Sequence, residues 1–205
     1  MMESIQRAKP SPSARTFLRH LKKQKSLTIS FASGIGTDEA LFAQDGHRVI
    51  ASDLNRAKLK VANRQIGSQR AVALSLNQEL PFQDNSFDAV YIRLGLHYFS
   101  NEELPEIISE ISRILKPKGL VYIVVKSRQD FYYQQFKETR RPDGMVSCTD
   151  PRTDLSYLRN FFSTDQLRAL LEKTFKIIAT HSHNEQLYED SHTSSLITLV
   201  AKRRA

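Results

Sequence analysis

The stretch from residue 27 to residue 55, LTISFASGIGTDEALFAQDGHRVIASDLN, constrains the fold more than any other part of the chain. Leu27 to Phe31 alternates Leu, Ile and Phe with Thr and Ser, the period of a strand, and runs straight into Ala32-Ser33-Gly34-Ile35-Gly36. So tight a turn uses small residues because backbone must come close to backbone or to a ligand. Thr37-Asp38-Glu39 then opens a helix whose buried side is read as Ala40, Leu41 and Ala43, with Gly46 as its stop. Arg48 to Ser52 supplies a second strand. Asp53 follows it, about 20 residues after the glycines, where an acidic side chain can accept hydrogen bonds from both hydroxyls of a ribose. The unit points to a nucleotide cofactor.

Local charge separates the cofactor classes. A dinucleotide places its pyrophosphate at the helix N-terminus, where free N–H groups and the positive end of the dipole attract anions. Asp38 and Glu39 occupy that end, and Glu39 also stands at the third position of a G-x-G-x-x-G fingerprint counted from Gly34, where Gly or Ala gives close helix-to-sheet contact. NAD is therefore the weaker reading. S-adenosylmethionine carries no phosphate, and its sulfonium and amino groups are positive, so an acidic rim costs it nothing. The plainer alternative is a turn that merely needs glycine and an Asp that caps a strand.

A second block, residues 79 to 99, reads ELPFQDNSFDAVYIRLGLHYF. Leu80-Pro81-Phe82 and Asp84-Asn85-Ser86-Phe87-Asp88 make a turn-rich approach to a buried strand, Ala89 to Arg93. With these residues in view the chain resembles the class I S-adenosylmethionine-dependent methyltransferases of the small bacterial kind, which carry an LPF-x-D-x-SFD segment before the fourth strand. Arg113-Ile114-Leu115-Lys116-Pro117-Lys118-Gly119 is similar to that family's R-x-LKPGG turn before the fifth. The likeness covers residues 10 to 126 well and the C-terminal third only in outline. It implies a doubly wound, Rossmann-like α/β fold with a seven-stranded sheet, mostly parallel, the last strand antiparallel. It further implies S-adenosylmethionine as cofactor, with contacts at Ala32, Ser33, Gly34, Gly36, Asp53, Leu54, Leu76, Asn77 and Arg93. Leu76 falls at the place that commonly reaches the adenine amino group, and Asn77 beside it has the donor and acceptor for that work.

The departures are specific. Where the family reads acidic-x-Gly-x-Gly-x-Gly, this chain has Ser30, Ala32, Gly34 and Gly36. Ser30 lacks the carboxylate that helps to organise the methionine ammonium, and Ala32 adds a methyl that is tolerable only if its φ is negative. A fold member that binds without catalysis is thus an open alternative to an enzyme.

At 205 residues, with 40% hydrophobic and 25% charged residues, the chain fits one α/β domain over residues 1–205. A single cysteine, Cys148, excludes an internal disulfide, and no His/Cys cluster has metal-ligand spacing, so a reducing cytoplasm is expected and no metal. No apolar run suits export or a membrane span. The net charge of +8 is concentrated early, Arg7, Lys9, Arg15, Arg19, Lys22, Lys23 and Lys25 facing only Glu3 within residues 1–25, an opening basic helix that could attract RNA. No stacking aromatics are interleaved with it, which favours a solvated face and a small-molecule substrate.

Elsewhere Ser11 to Lys23, Ala57 to Gln65, the amphipathic run from Leu104 to Leu115 closed by Gly119, and a segment capped by Ser163 are expected helices. Ala71 to Leu74, Leu120 to Val125, Phe175 to Thr180 and Leu196 to Ala201 are expected strands. Residues 127–162 break the alternation, and two readings stay open: a substrate lid bearing Arg128, Tyr132 and Tyr133, or a short helix padding the sheet edge. His97, after the fourth strand, is the candidate general base, with a packed histidine as its alternative.

Overall fold

The computed structural model describes residues 9–21, 25–67, 70–150, 153–187 and 193–205. In chain order the elements are α1 (Pro12–His20), β1 (Leu27–Phe31), α2 (Thr37–Gln44), β2 (Arg48–Ser52), α3 (Arg56–Ile66), β3 (Ala71–Val72), β4 (Phe87–Arg93), α4 (Leu104–Ile114), β5 (Leu115–Lys126), α5 (Phe131–Phe136), β6 (Met145–Thr149), β7 (Ser156–Asn160), α6 (Thr164–Glu172), β8 (Phe175–Glu185) and β9 (Ser194–Arg203). Seven strands form one sheet in the order β3-β2-β1-β4-β5-β9-β8. All of its pairings are parallel except the two made by β9. The doubly wound α/β sheet with its last strand reversed is therefore what the chain forms.

Apolar patterning explains the layers. Val121 to Val125 is buried without interruption because helices cover both faces of the central strand β5. One face packs on Leu104, Ile107, Ile108, Ile111 and Ile114 of α4. The other meets α1 and α2 through an aromatic cluster in which the Phe17 ring lies 4.9 Å from both Phe42 and Tyr91. That cluster corrects the expected face of α2: Phe42 and Glu39 are buried, whereas Ala40, Leu41 and Ala43 are only partly covered.

Two signature segments hold each other in place. Arg113, in the last turn of α4, donates to the Phe82 carbonyl at 2.7 Å, to Asp84 at 2.8 Å and to the Leu80 carbonyl at 3.0 Å, pinning the LPF loop. Asp88 accepts from the Leu27 N–H at 2.8 Å, tying the start of β4 to β1. Gly119 does not end α4, which stops at Ile114; it lies in β5 where a Cβ would come within 2.8 Å of the Lys116 carbonyl oxygen.

Residues 127–162 are not a structureless lid. Asp130 caps α5, and β6 and β7 pair as a separate two-stranded antiparallel sheet over a small core of Val146, Cys148 and Phe161. Burial raises the Cys148 thiol to about 11, so it packs as an inert hydrophobe. α1 is shorter than expected, capped by Ser11 and ending at His20, with Arg15 and Arg19 on its exposed face. Arg7, Lys22 and Lys23 lie outside the described residues.

Candidate functional site

Neighbouring strands β1 and β4 both leave the sheet through left-handed residues, Ala32 with φ 54° and Leu94 with φ 56°. The chain turns to β2 from one and toward β5 from the other, so a crevice opens between their carboxyl ends. The expectation of a negative φ at Ala32 is overturned. A left-handed alanine costs about 1–2 kcal/mol, and the surrounding bonds hold it there. The Ser33 N–H donates to the Ser52 carbonyl at 2.9 Å, the Gly36 N–H to the Ser33 carbonyl at 3.0 Å, and the Gly34 N–H to Asp53 Oδ2 at 2.8 Å. At Gly36, φ 80°, a Cβ would stand 2.8 Å from that of Ala62, so the start of α2 rests directly on α3.

Above this turn lies a cavity of about 990 Å³. Of the residues expected at the cofactor, Ala32, Ser33, Gly34, Asp53, Leu54, Leu76 and Arg93 line it. Gly36 lies buried beneath, and Asn77 is not in the wall. The Asn77 amide is committed elsewhere, accepting from Ser75 Oγ at 2.6 Å and donating to Glu103 at 3.1 Å, so Leu74 and Leu76 form that wall without it. Arg93 reaches across to Glu185 of β8 and pairs with it.

Asp38 and Glu39 are not an acidic rim. Asp38 accepts from the Ser11 N–H at 2.7 Å, from Ser11 Oγ at 2.8 Å and from Tyr91 Oη at 2.9 Å, clamping the start of α1 to β4. Glu39 is buried in the cavity wall and accepts from Ser30 Oγ at 2.5 Å. Burial, reinforced by the charge of Asp38, pushes its carboxyl up to about 8.

A second cavity, about 570 Å³, adjoins the first; Leu94 and Tyr98 line both. His97, in a 3₁₀ turn after β4, and Tyr132 of α5 are in its wall, with Lys126, Tyr157 and Arg159. His97 is buried, and burial first, then the charges of Arg159 and Lys126, hold its imidazole well below the ordinary value, so it is neutral. Among the described residues its Nδ1 has no hydrogen-bond partner. Arg159 lies over the Tyr98 ring at 4.2 Å and over Tyr157 at 4.7 Å. Arg128 and Tyr133 line neither cavity. Arg128 donates to Gln166 at 2.7 Å and to the Phe161 carbonyl at 3.3 Å, and Tyr133 packs on the Phe161 ring at 5.4 Å. Sequence reading missed Leu94, Tyr98 and Arg159; the one local signal was the i, i+2 spacing of Tyr157 and Arg159, which puts both on one face of β7.

Among the described residues no group of His, Cys, Asp and Glu could hold a metal ion, and no helix is long and apolar enough to cross a membrane. Residues 29–123 match a family described as methyltransferase domain. A demethylmenaquinone methyltransferase of Clavibacter sepedonicus is 36% identical over 97 residues, covering 46% of this chain and 39% of that protein. The chain thus spans less than half the length of such curated relatives. Among solved structures, an S-adenosylmethionine-dependent methyltransferase of Methanosarcina mazei superposes with a TM-score of 0.79 at 19% identity, covering 96% of this chain and 99% of that one. A 1,6-didemethyltoxoflavin N1-methyltransferase of Burkholderia thailandensis, solved with its acceptor and S-adenosylhomocysteine, gives 0.69 at 20% identity over 95% and 77% of the two chains. At those identities the likeness is one of fold.

The first cavity fits such a nucleoside. Gly34 faces open space in which an added Cβ would meet nothing within 4 Å, Asp53 stands at the end of β2, and two buried atoms in the same wall, Ser33 Oγ and Glu39 Oε2, have hydrogen-bonding capacity that none of the described residues satisfies.

Proposed function

We propose that this chain is a class I S-adenosylmethionine-dependent methyltransferase that transfers the cofactor's methyl group to a small planar acceptor held in the second cavity. The shared wall of Leu94 and Tyr98 carries this reading, because it lets a ligand in each cavity meet at one junction. Asp53 would hold the ribose hydroxyls, Leu74 and Leu76 would flank the base, and the backbone from Ala32 to Gly34 would follow the amino-acid end. Bound there, the cofactor supplies a methyl group already activated as a sulfonium.

The chain's own contribution is alignment and exclusion of water. Phe131, Tyr132, Tyr157 and Phe161 give the second cavity flat apolar surfaces, suited to a ring. Arg159 brings positive charge to the same walls, Lys126 being paired with Asp130 at 3.2 Å, and that charge favours the ionised form of a hydroxyl or ring nitrogen on the acceptor. The neutral imidazole of His97 offers its unpartnered Nδ1 to orient the acceptor or take up its proton; with its basicity held down, it does so only for an acidic acceptor. The names of relatives support a planar acceptor: several are demethylmenaquinone methyltransferases, and one fold neighbour is named for methylating didemethyltoxoflavin.

Calorimetric titration with S-adenosylhomocysteine tests the first cavity. A panel of small hydroxy- and amino-arenes, incubated with S-adenosylmethionine and scanned for a mass gain of one methyl group, tests the second. Saturable binding and methylation of at least one arene are expected. Binding with no transfer to any arene would leave a non-catalytic binding protein. Transfer to bulk RNA alone would assign the acceptor to the basic N-terminal segment.

A further inference from the structure

A carboxyl group buried in a cavity wall with one side-chain hydrogen bond and no ion-pair partner is poorly served unless something else comes to it. Glu39 is in that condition. Only 2% of it is exposed; Oε1 receives the Ser30 hydroxyl at 2.5 Å, and Oε2 has no partner among the described residues. Among the described residues, Asp38, Arg93 and Asp53 beside it are engaged elsewhere. Asp38, on the same helix, is held by Ser11 and Tyr91, and it opposes a second negative charge beside it. Arg93 of β4, whose charge acts on Glu39, is paired with Glu185 of β8. Asp53 after β2 shares the cavity but is tied to the N–H groups of Gly34 and Asn55, and Lys58 of α3 and Lys9 before α1 line the same space.

We infer that Glu39, reaching over from α2, receives the cationic amino-acid end of the bound cofactor in place of the carboxylate that Ser30 lacks, and that binding expels the carboxyl proton to solvent. The inference rests on the cofactor reading above and adds to it a ligand group and a coupled proton. Ser30 and Glu39 have complementary roles, the serine hydroxyl fixing the orientation of the carboxyl and the glutamate providing the charge. Without a cation the group keeps its proton, as its shift to about 8 indicates. An ammonium brought against Oε2 makes ionisation favourable, and the departing proton passes to the buffer. Below about pH 8 the proton must be removed for the cation to bind, so affinity rises with pH by up to about tenfold per unit and then levels off.

Calorimetry with S-adenosylhomocysteine in two buffers of different ionisation heat counts the protons directly. Close to one proton released per ligand bound is expected near pH 7 for the natural protein, falling to near zero for Glu39→Gln, with weaker binding that lacks the pH slope. The ligand's own amino group titrates identically in both titrations, so the difference belongs to Glu39. Infrared difference spectra of the natural protein give a reading that does not depend on the variant folding: ligand addition should remove a protonated-carboxyl stretch and add carboxylate bands. Ligand binding with no proton released, or an equal release from Glu39→Gln, overturns the inference and leaves the cofactor reading intact. No ligand binding at any pH overturns both.

Discussion

The first cavity is walled largely by strand ends and the turns that follow them, whereas the second is assembled from pieces far apart in the chain: the turn after β4, the end of β5, helix α5 and the β6–β7 hairpin. Backbone geometry and the carboxylates of Glu39 and Asp53 stand out in the one; aromatic rings and the Arg159 cation stand out in the other. A site built from parallel strand ends inherits its position from the sheet, so the same place can serve any nucleoside cofactor. A site built from side chains on an appended helix and hairpin is free to change its occupant without disturbing the sheet.

The sharpest way to break that contrast is to strike the support of the first cavity. Gly36→Ala puts a Cβ 2.8 Å from Ala62 Cβ and 2.9 Å from its Cα, at a left-handed φ. A loss of about 2–5 kcal/mol is expected, visible as a fall of at least 5 °C or so in the thermal midpoint. An equal loss from truncating Leu155, an exposed wall residue of the second cavity, would show that the two are not built so differently.

The two cavities should also respond to pH in opposite senses. Glu39 has a raised value, so the folded state holds a proton the unfolded chain gives up, and stability falls as pH climbs from about 4.5 toward 8. His97 has a lowered value, so the unfolded chain takes a proton the folded state refuses. Its contribution is present above the ordinary 6.5 and is lost as pH drops below it, by about 1.4 kcal/mol per unit until the folded group titrates. Denaturant unfolding across this range should show Glu39→Gln removing the alkaline decline by about 1–3 kcal/mol at pH 8, and His97→Gln removing the acid one. Parallel slopes in the two variants would contradict the burial of one or both groups.

Ligand affinities sharpen the division further. Asp53→Ala should weaken S-adenosylhomocysteine about 10- to 100-fold, since it removes both the proposed ribose acceptor and the bond that anchors Gly34, while Arg159→Ala should leave that affinity within about twofold and raise the KM for an acceptor. The smallest effect is expected at the lip. Ala32→Gly relieves the left-handed alanine but frees the unfolded chain, for a net gain of about 1 kcal/mol or less, or 2–4 °C in thermal midpoint.

The first cavity is the more legible because its residues follow one another along the chain. Asp53 is found by counting from the glycines, and Leu76 and Arg93 fall in their expected register. Asn77 misleads because a loop residue's neighbours decide where its amide points, and Ser75 and Glu103 have the stronger claim. The φ of Ala32 is hidden because residue type argues against it, and only the surrounding hydrogen bonds hold it in place. Glu39 is visible as an acid at a helix start; that one helical turn folds it back onto Ser30, nine positions earlier, takes coordinates to see. The second cavity is nearly illegible, since Leu94 and Arg159 meet only after the hairpin has folded over. Arg128 and Tyr133, whose chemistry suits a substrate contact, are claimed by Gln166 and by the small core instead.

The closeness of the two strand ends limits what either can carry. A methyl on Gly95 would stand 2.9 Å from Ile92 Cγ2 and 3.1 Å from the Ala32 methyl. Position 95 is therefore crowded from its own strand as well as from across the crevice, and shortening Ala32 to glycine would relieve only the wider of the two clashes.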